Sequence, residues 1–363
     1  MTPNGTINEQ PITDRINWVF DLAQRYSAEF CSPEAFLARE RYLARHPTAI
    51  AVLKCMDGRI NIPVATNTPP GIIQPFRNLG GMFDMGWPHL GEVLAQYVQR
   101  MVSSGRRVLI LITYHFSRGD VHRGCSGFGC DTGAALAHTR QIRSQMEAIF
   151  GSAHDTVYPL ICGFETDEDA LLLHSSDGRV LDLSADMTMN ELMAELAQRF
   201  HDMPHEMRGD LVPLLAGNLS HIKELRQERR SLVVEHREWM ICLGRGFDFL
   251  HTPNLALIIG PYSPNLADPI RKAAAIIESN MAAGRIPGDG FLLLASVPYD
   301  EIGVDRARAV MKSHFLSMFA AEVIEREFPD LAGKMVRRTA VLDWNSRRIE
   351  ALPGPNGEGL PLP

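Results

Sequence analysis

The apolar residues of this chain fall into two alternating patterns. Short, mostly apolar runs occur at 48–53, 72–76, 107–114, 156–162, 255–260, 290–295 and 335–343. Runs of this length, bounded by polar or glycine-containing stretches, predict buried β-strands. Between them lie longer stretches with apolar positions at helical spacing, at 87–103, 131–150, 268–283 and 303–328. Asp131 is placed to cap the second of these helices. Residues 171–183 predict a hairpin turning at Ser176-Asp177-Gly178, and a turn at 344–346 leads into a short return strand. From 12 to 46 the positions Ile16, Val19, Phe20, Ala23, Tyr26 and Phe30 recur at helical spacing. Ser32-Pro33-Glu34 reads as the start of a second helix there. Residues 1–11 carry no such pattern and are expected to be disordered. Residues 188–238 predict three helices, broken near Pro204 and Pro213.

The order strand, helix, strand, helix, strand, hairpin occurs twice. Alternating strands and helices imply an α/β fold with a mainly parallel sheet, present here as two tandem related halves behind an N-terminal helical arm. The expected division is 1–47 for the arm, 48–183 for the first α/β domain, 184–235 for a helical connection and 236–363 for the second, repeated domain. Laid over each other, Ala51-Val-Leu-Lys-Cys55-Met-Asp57-Gly-Arg59 falls on Leu257-Ile-Ile-Gly-Pro261-Tyr-Ser263-Pro-Asn265, and His115 falls on Pro298. The second half keeps the apolar strands and lacks the reactive residues, which predicts one working site per chain, in the first half.

Composition narrows the partners. The net charge is −7, and no basic stretch is interleaved with aromatics, so a nucleic-acid partner is excluded. Arg226, Arg229 and Arg230 alternate with Glu224 and Glu228, the pattern of a solvated helix face. No apolar run approaches the roughly 18 residues of a membrane span. The first residues show no basic-then-apolar signal order, and the expected location is cytoplasmic. Six cysteines in a chain of 363 residues do not make a disulfide framework, so metal-binding or buried thiols are expected.

The chemistry gathers where the first strands stop. The first run ends in Lys54-Cys55, and Asp57 and Arg59 follow at alternating positions. In an extended backbone those three side chains share one side. The strand 107–114 ends at His115, and Cys125 follows after a polar loop, 116–124. Two thiolates and an imidazole suit zinc, and three protein ligands leave a fourth position for water, as catalytic zinc sites do. Cys55, His115 and Cys125 are therefore the expected metal ligands. Cys130 remains a rival to Cys125, and His122 a rival to His115. Cys31, Cys162 and Cys242 read as buried apolar residues. Arg77-Asn78 reads as a hydrogen-bonding brace, since arginine is a poor metal donor. Gly80 and Gly81 would let backbone approach the site. His89, His122 and His138 are candidates to carry a proton away.

Cys55-Met-Asp57-Gly-Arg59, then Arg77-Asn78-Leu79-Gly80, then His115 with Cys125, resemble the β-class carbonic anhydrases in order and in placement. That family has a C-x-D-x-R strand end, an R-N-x-G segment, and a His and a Cys closing a zinc site after the next strand. The resemblance covers about residues 48–165. His115 and Cys125 are ten apart, where the common family has three, a spacing that His122 and Cys125 reproduce. This departure and the degenerate second half are similar to the carboxysomal shell carbonic anhydrases, which fuse an active and an inactivated β-type domain. The resemblance implies a β-carbonic-anhydrase-like sheet, a Zn²⁺ cofactor, reversible hydration of CO2 to bicarbonate and a homodimer or higher oligomer. It also implies a carboxysome-like assembly as one setting, and Asp57 with Arg59 as a catalytic pair. Two alternatives stay open: hydrolysis of carbon disulfide or carbonyl sulfide on the same fold, and a structural zinc module without turnover.

Overall fold

The computed structural model describes residues 7–228, 237–247 and 255–353. In chain order its elements begin with α1 (Ile12–Phe30), α2 (Pro33–Arg45), β1 (Ala49–Cys55), α3 (Ile62–Ala65), β2 (Ile73–Asn78) and α4 (Pro88–Ser103). There follow β3 (Val108–Phe116), α5 (Thr132–Phe150), β4 (Val157–Glu165), β5 (Ala170–His174), β6 (Val180–Asp182), α6 (Met189–Arg199) and α7 (His205–Glu228). The last elements are β7 (Met240–Leu243), β8 (Ala256–Ile259), α8 (Ala267–Ala282), β9 (Phe291–Tyr299), α9 (Val304–Glu327), α10 (Pro329–Ala332), β10 (Met335–Asp343) and β11 (Arg348–Ala351). Two compact units result. One comprises Phe36–Val233 with Tyr262–Pro264, and the other Met1–Ala35, Val234–Pro261 and Asn265–Pro363.

The first unit is built on a six-stranded sheet in the order β2-β1-β3-β4-β5-β6. The first four of these strands are parallel, and β5 and β6 close the sheet as an antiparallel hairpin. Every residue of β1, β4 and β5 is buried, which is why these strands read as continuous apolar runs rather than as alternation. On one side α4 supplies Leu90, Leu94 and Val98, and α5 supplies Ile142 and Met146, to a core shared with Leu53, Phe76 and Ile110. Tyr262 joins the same core, with its ring 5.5 Å from that of Phe76. Among the described residues, two helices, not three, follow the hairpin. The helix α7 runs through Pro213 because Leu211, Leu214, Leu215 and Leu219 are all buried around it. That packing outweighs the one backbone hydrogen bond a proline removes. Asn218 ties the same helix to the sheet, accepting from Leu171 N and donating to Ala65 O and Asp169 O.

The second unit has a five-stranded sheet in the order β11-β10-β9-β7-β8. Matched strand for strand, it has the same order as β5-β4-β3-β1-β2, and α8 and α9 occupy the places of α4 and α5. The two regions, about 40–207 and 240–351, are similarly organised, in keeping with a duplicated β-carbonic-anhydrase-like module. Of the arm expected to carry no chemistry, the part up to Ala35 belongs here and the part from Phe36 on belongs to the first unit. The buried Arg15 of α1 donates to Asp289 Oδ1 at 2.5 Å and lies 5.0 Å from the Trp239 ring centroid. Residues 1–6 lie outside the described residues, while Ile7–Glu9 form a 3-10 turn, and Asn8 accepts from Trp239 Nε1. That stretch is therefore ordered from Ile7 on, contrary to expectation.

The overlay of the halves needs a correction. The true counterpart of β1 is β7, a four-residue strand that lies between the helical stretch 188–238 and the strand 255–260, where no element is expected from the sequence. The register fixes the match. Ile50 pairs with Leu109 and Met240 with Leu292, while β3 and β9 each run nine residues in step with their next neighbours. Cys55 therefore corresponds to Arg245 and Asp57 to Phe247, not to Pro261 and Ser263. Residues 248–254, which include the counterpart of Arg59, lie outside the described residues. The segment 257–265 overlies β2 and its extension, so Gly260 stands where Arg77 does. His115 still falls on Pro298.

Candidate active site

Parallel pairing brings the reactive residues together. Leu53 lies beside Ile112 in neighbouring strands, so Cys55, the last residue of β1, and His115, near the end of β3, emerge at the same edge of the sheet. His115 lies inside β3, which runs on to Phe116. Cys125 returns to that edge after the loop 116–124. One ligand atom from each of Cys55, His115 and Cys125 lies within 4.8 Å of the others, and all three residues are buried. Both ring nitrogens of His115 are buried without a nitrogen or oxygen partner, and the group the ring meets is the Cys55 thiol. Buried polar atoms are rarely left so. A metal ion accepting a lone pair from that imidazole would remove the cost, and the donor set of two thiolates and one imidazole fits zinc. Among the described residues this is the one such cluster.

The two rivals stand apart from it. His122 sits exposed on a 3-10 turn, Val121–Arg123. Cys130 is half-buried, with its Sγ 3.7 Å from His122 O. Cys162 and Cys242 are buried as expected, but Cys31 is exposed, because it caps the C-terminus of α1. The two clustered thiols act on each other. The Cys55 thiol is pushed well up, first by its hydrogen bond to Cys125 and then by burial. Cys125 is pushed down, first by that same hydrogen bond and further by the N–H groups of Gly127 and Phe128. The backbone after Cys125 is thus set to hold a thiolate.

Asp57 and Arg59 meet by a different route from the one expected. The chain does not stay extended after Cys55 but turns, with Ile60 N donating to Asp57 O at 3.3 Å. Arg59 folds back on Asp57. Its Nε lies 3.1 Å from both carboxylate oxygens, its Nη2 is 2.6 Å from Oδ2, and its backbone N is 2.9 Å from Oδ1. Both residues are buried, so the pair is charge-assisted in low dielectric. The turn itself is braced by Arg77, whose guanidinium donates to Cys55 O, Asp57 O and Ile60 O at 3.2, 2.8 and 3.1 Å. The buried Lys54 also donates to Ile60 O.

Glycines let two further segments close over the site. Gly81, at φ +69°, lies where a Cβ would come 3.1 Å from Thr113 O. A Cβ on Gly127 would stand 2.8 Å from Gly80 Cα, a backbone atom that cannot swing aside. Gly127→Ala is therefore expected to destabilise the protein by about 1–3 kcal/mol, read as a lowered midpoint in thermal unfolding. A variant as stable as the wild type would mean that the two loops are not in contact.

Of the histidines named as proton carriers, His138 accepts from Phe83 N at 3.2 Å through Nε2, and burial lowers its basicity. Protonation there would break that bond, so His138 is poorly placed for the task. His89 is exposed and stacks on Tyr262.

The sequence reading did not foresee how the loop 116–124 is held. Asp167, in the turn between β4 and β5, accepts from Ser117 Oγ and Gly119 N and pairs with Arg123 Nη1 at 3.0 Å. Burial opposes its ionisation, yet these donors hold its carboxyl below the usual range. The neighbouring Glu165 is pushed up by burial and accepts from Arg118 N, Asp167 N and Glu168 N. The acidic run 165–169 was the signal, but its partner lies about fifty residues earlier.

Residues 40–207 match the family described as Carboxysome Shell Carbonic Anhydrase, catalytic domain. No curated protein matches the chain. The matched segment contains Cys55, Asp57, Arg59, His115 and Cys125, and in the other unit the positions of Cys55, Asp57 and His115 hold Arg245, Phe247 and Pro298. In sequence, residues 40–207 match the catalytic-domain family of the carboxysome shell carbonic anhydrases, and their Cys55–His115–Cys125 cluster supports a zinc-dependent, carbonic-anhydrase-like active site.

Proposed function

We propose that the chain catalyses reversible hydration of CO2 to bicarbonate, with Zn²⁺ held by Cys55, His115 and Cys125. The observation that carries this reading is the buried cluster itself, two thiols and an imidazole with one ligand atom from each within 4.8 Å of the others. Zinc bound there supplies the Lewis acidity that brings water towards ionisation near neutral pH, as in the three-histidine carbonic anhydrases. The chain's own residues do the rest. Asp57, acceptor-only while Arg59 keeps it ionised, takes a hydrogen bond from the attacking hydroxyl and turns the oxygen lone pair towards CO2. Arg59 fixes the carboxylate in one orientation. Arg77 keeps the turn that carries both from relaxing. A purely structural zinc site has no use for such an oriented pair, which favours catalysis over a zinc module without turnover.

The reading extends to organisation. Residues 48–183 form the catalytic domain behind the arm 1–47, 184–235 connect it, and 236–363 form the non-catalytic repeat. The family description supports a carboxysome-like setting, read here as lying within the cytoplasm, and the resemblance of the motifs to the β-class enzymes is the ground for a homodimer or higher oligomer. Purified protein is expected to hold about one zinc per chain, from one ligand cluster. Dialysis against a chelator should abolish CO2 hydration in stopped flow, and added zinc should restore it. Activity that survives complete metal removal would sink the proposal.

A further inference from the structure

We infer that Arg123 and Asp167 are positioning residues whose ion pair holds Arg59 on Asp57, and so keeps that carboxylate from closing the metal site. The inference rests on the carbonic anhydrase reading above, which supplies the metal. Asp57 lies close enough to Cys125 for their charges to interact, and a carboxylate beside a divalent cation is itself a competent ligand. Arg59 prevents that by engaging both oxygens of Asp57. Arg59 also donates to a second acceptor, Arg123 O, 3.1 Å from its Nη2. The position of that carbonyl is set in turn by the Arg123 side chain, anchored on Asp167. Ser117 and Gly119, at the other end of the same loop, donate to the same carboxylate. The loop lengthening the interval between His115 and Cys125 is therefore tied at both ends to one acid, and it presents one carbonyl to the dyad.

The test uses the full chain with cobalt in place of zinc and reads its visible spectrum as azide is added. Azide needs an open coordination position, so wild-type protein and Arg123→Lys, which keeps the ion pair, should both show a spectral shift. Asp167→Asn and Arg123→Ala should retain metal, show no azide shift, and hydrate CO2 about 10- to 100-fold more slowly in their zinc forms. The double variant Asp57→Ala/Asp167→Asn should regain the azide shift, because the closing carboxylate is gone. A wild-type spectrum that ignores azide would overturn both the lock and the reading beneath it. A responsive wild type with an equally responsive Asp167→Asn overturns the lock alone. So does an Asp167→Asn that sheds its metal, since the loop would then serve Cys125 rather than the dyad, and so does a double variant that stays silent.

Discussion

Cys55→Ser is expected to lose its metal and its CO2 hydration together. The serine hydroxyl stays protonated near neutrality and cannot replace a thiolate as a soft, anionic ligand. Neither Cys130 nor His122 can replace it, because both stand outside the cluster. His115→Ala should behave likewise. His115 is 2% exposed and leaves from a nine-residue strand paired along its length to β4, so no neighbour can move into its place. His122→Ala, an exposed change, should leave the metal bound. The measurement is metal content by mass spectrometry beside the hydration rate. If His122→Ala strips the metal while His115→Ala keeps it, the ligand assignment is wrong.

Asp57→Ala should separate the two properties. The carboxylate is engaged by Arg59 and lies outside the metal cluster, so the variant should keep its metal and lose about 10- to 100-fold in hydration rate. Arg59→Ala should slow the reaction similarly and cost more stability. It leaves a buried carboxylate without its partner, a change worth about 3–5 kcal/mol when a buried pair is broken. Asp57→Ala instead leaves a guanidinium that still donates to Arg123 O. Metal content, rate and unfolding midpoint together read the difference. A fully active Asp57→Ala would remove the role given to the carboxylate.

Much of this arrangement could be read before folding. The strands were legible because parallel strands buried on both faces are apolar throughout, as in β1 and β4. Asp131 was legible as a cap because its side chain accepts from Ala134 N, the geometry its residue type favours. Cys55 and His115 could be associated because each lies at the end of an apolar run. Other features were not local. The four residues of β7 are too few to declare a period, and its neighbours in the sheet are fixed by pairing. Pro213 looked like a break because the burial of Leu211, Leu214 and Leu215 around it on α7 is a tertiary fact. Arg59 was expected on the same side as Asp57 by strand alternation, yet it reaches it through a turn held by Arg77, more than fifteen residues on. The tie between Arg123 and Asp167 joins residues from two loops of no evident periodicity.

The corrected register between the two sheets bears on how the repeat has aged. Descent from one ancestral module explains two sheets with the same strand order, and selection for folding alone suffices to keep that order. The strand ends answer to chemistry only, and there the copy has drifted to Arg245, Phe247 and Pro298. Return is barred by interdependence. Arg245→Cys alone would place a thiol opposite Pro298 rather than a histidine, and Gly260 stands in the place of Arg77, whose guanidinium braces the turn in the first unit. On the proposed reading, no single substitution at these positions would restore the whole constellation: the repeat would serve as architecture, and its drift would work as a ratchet.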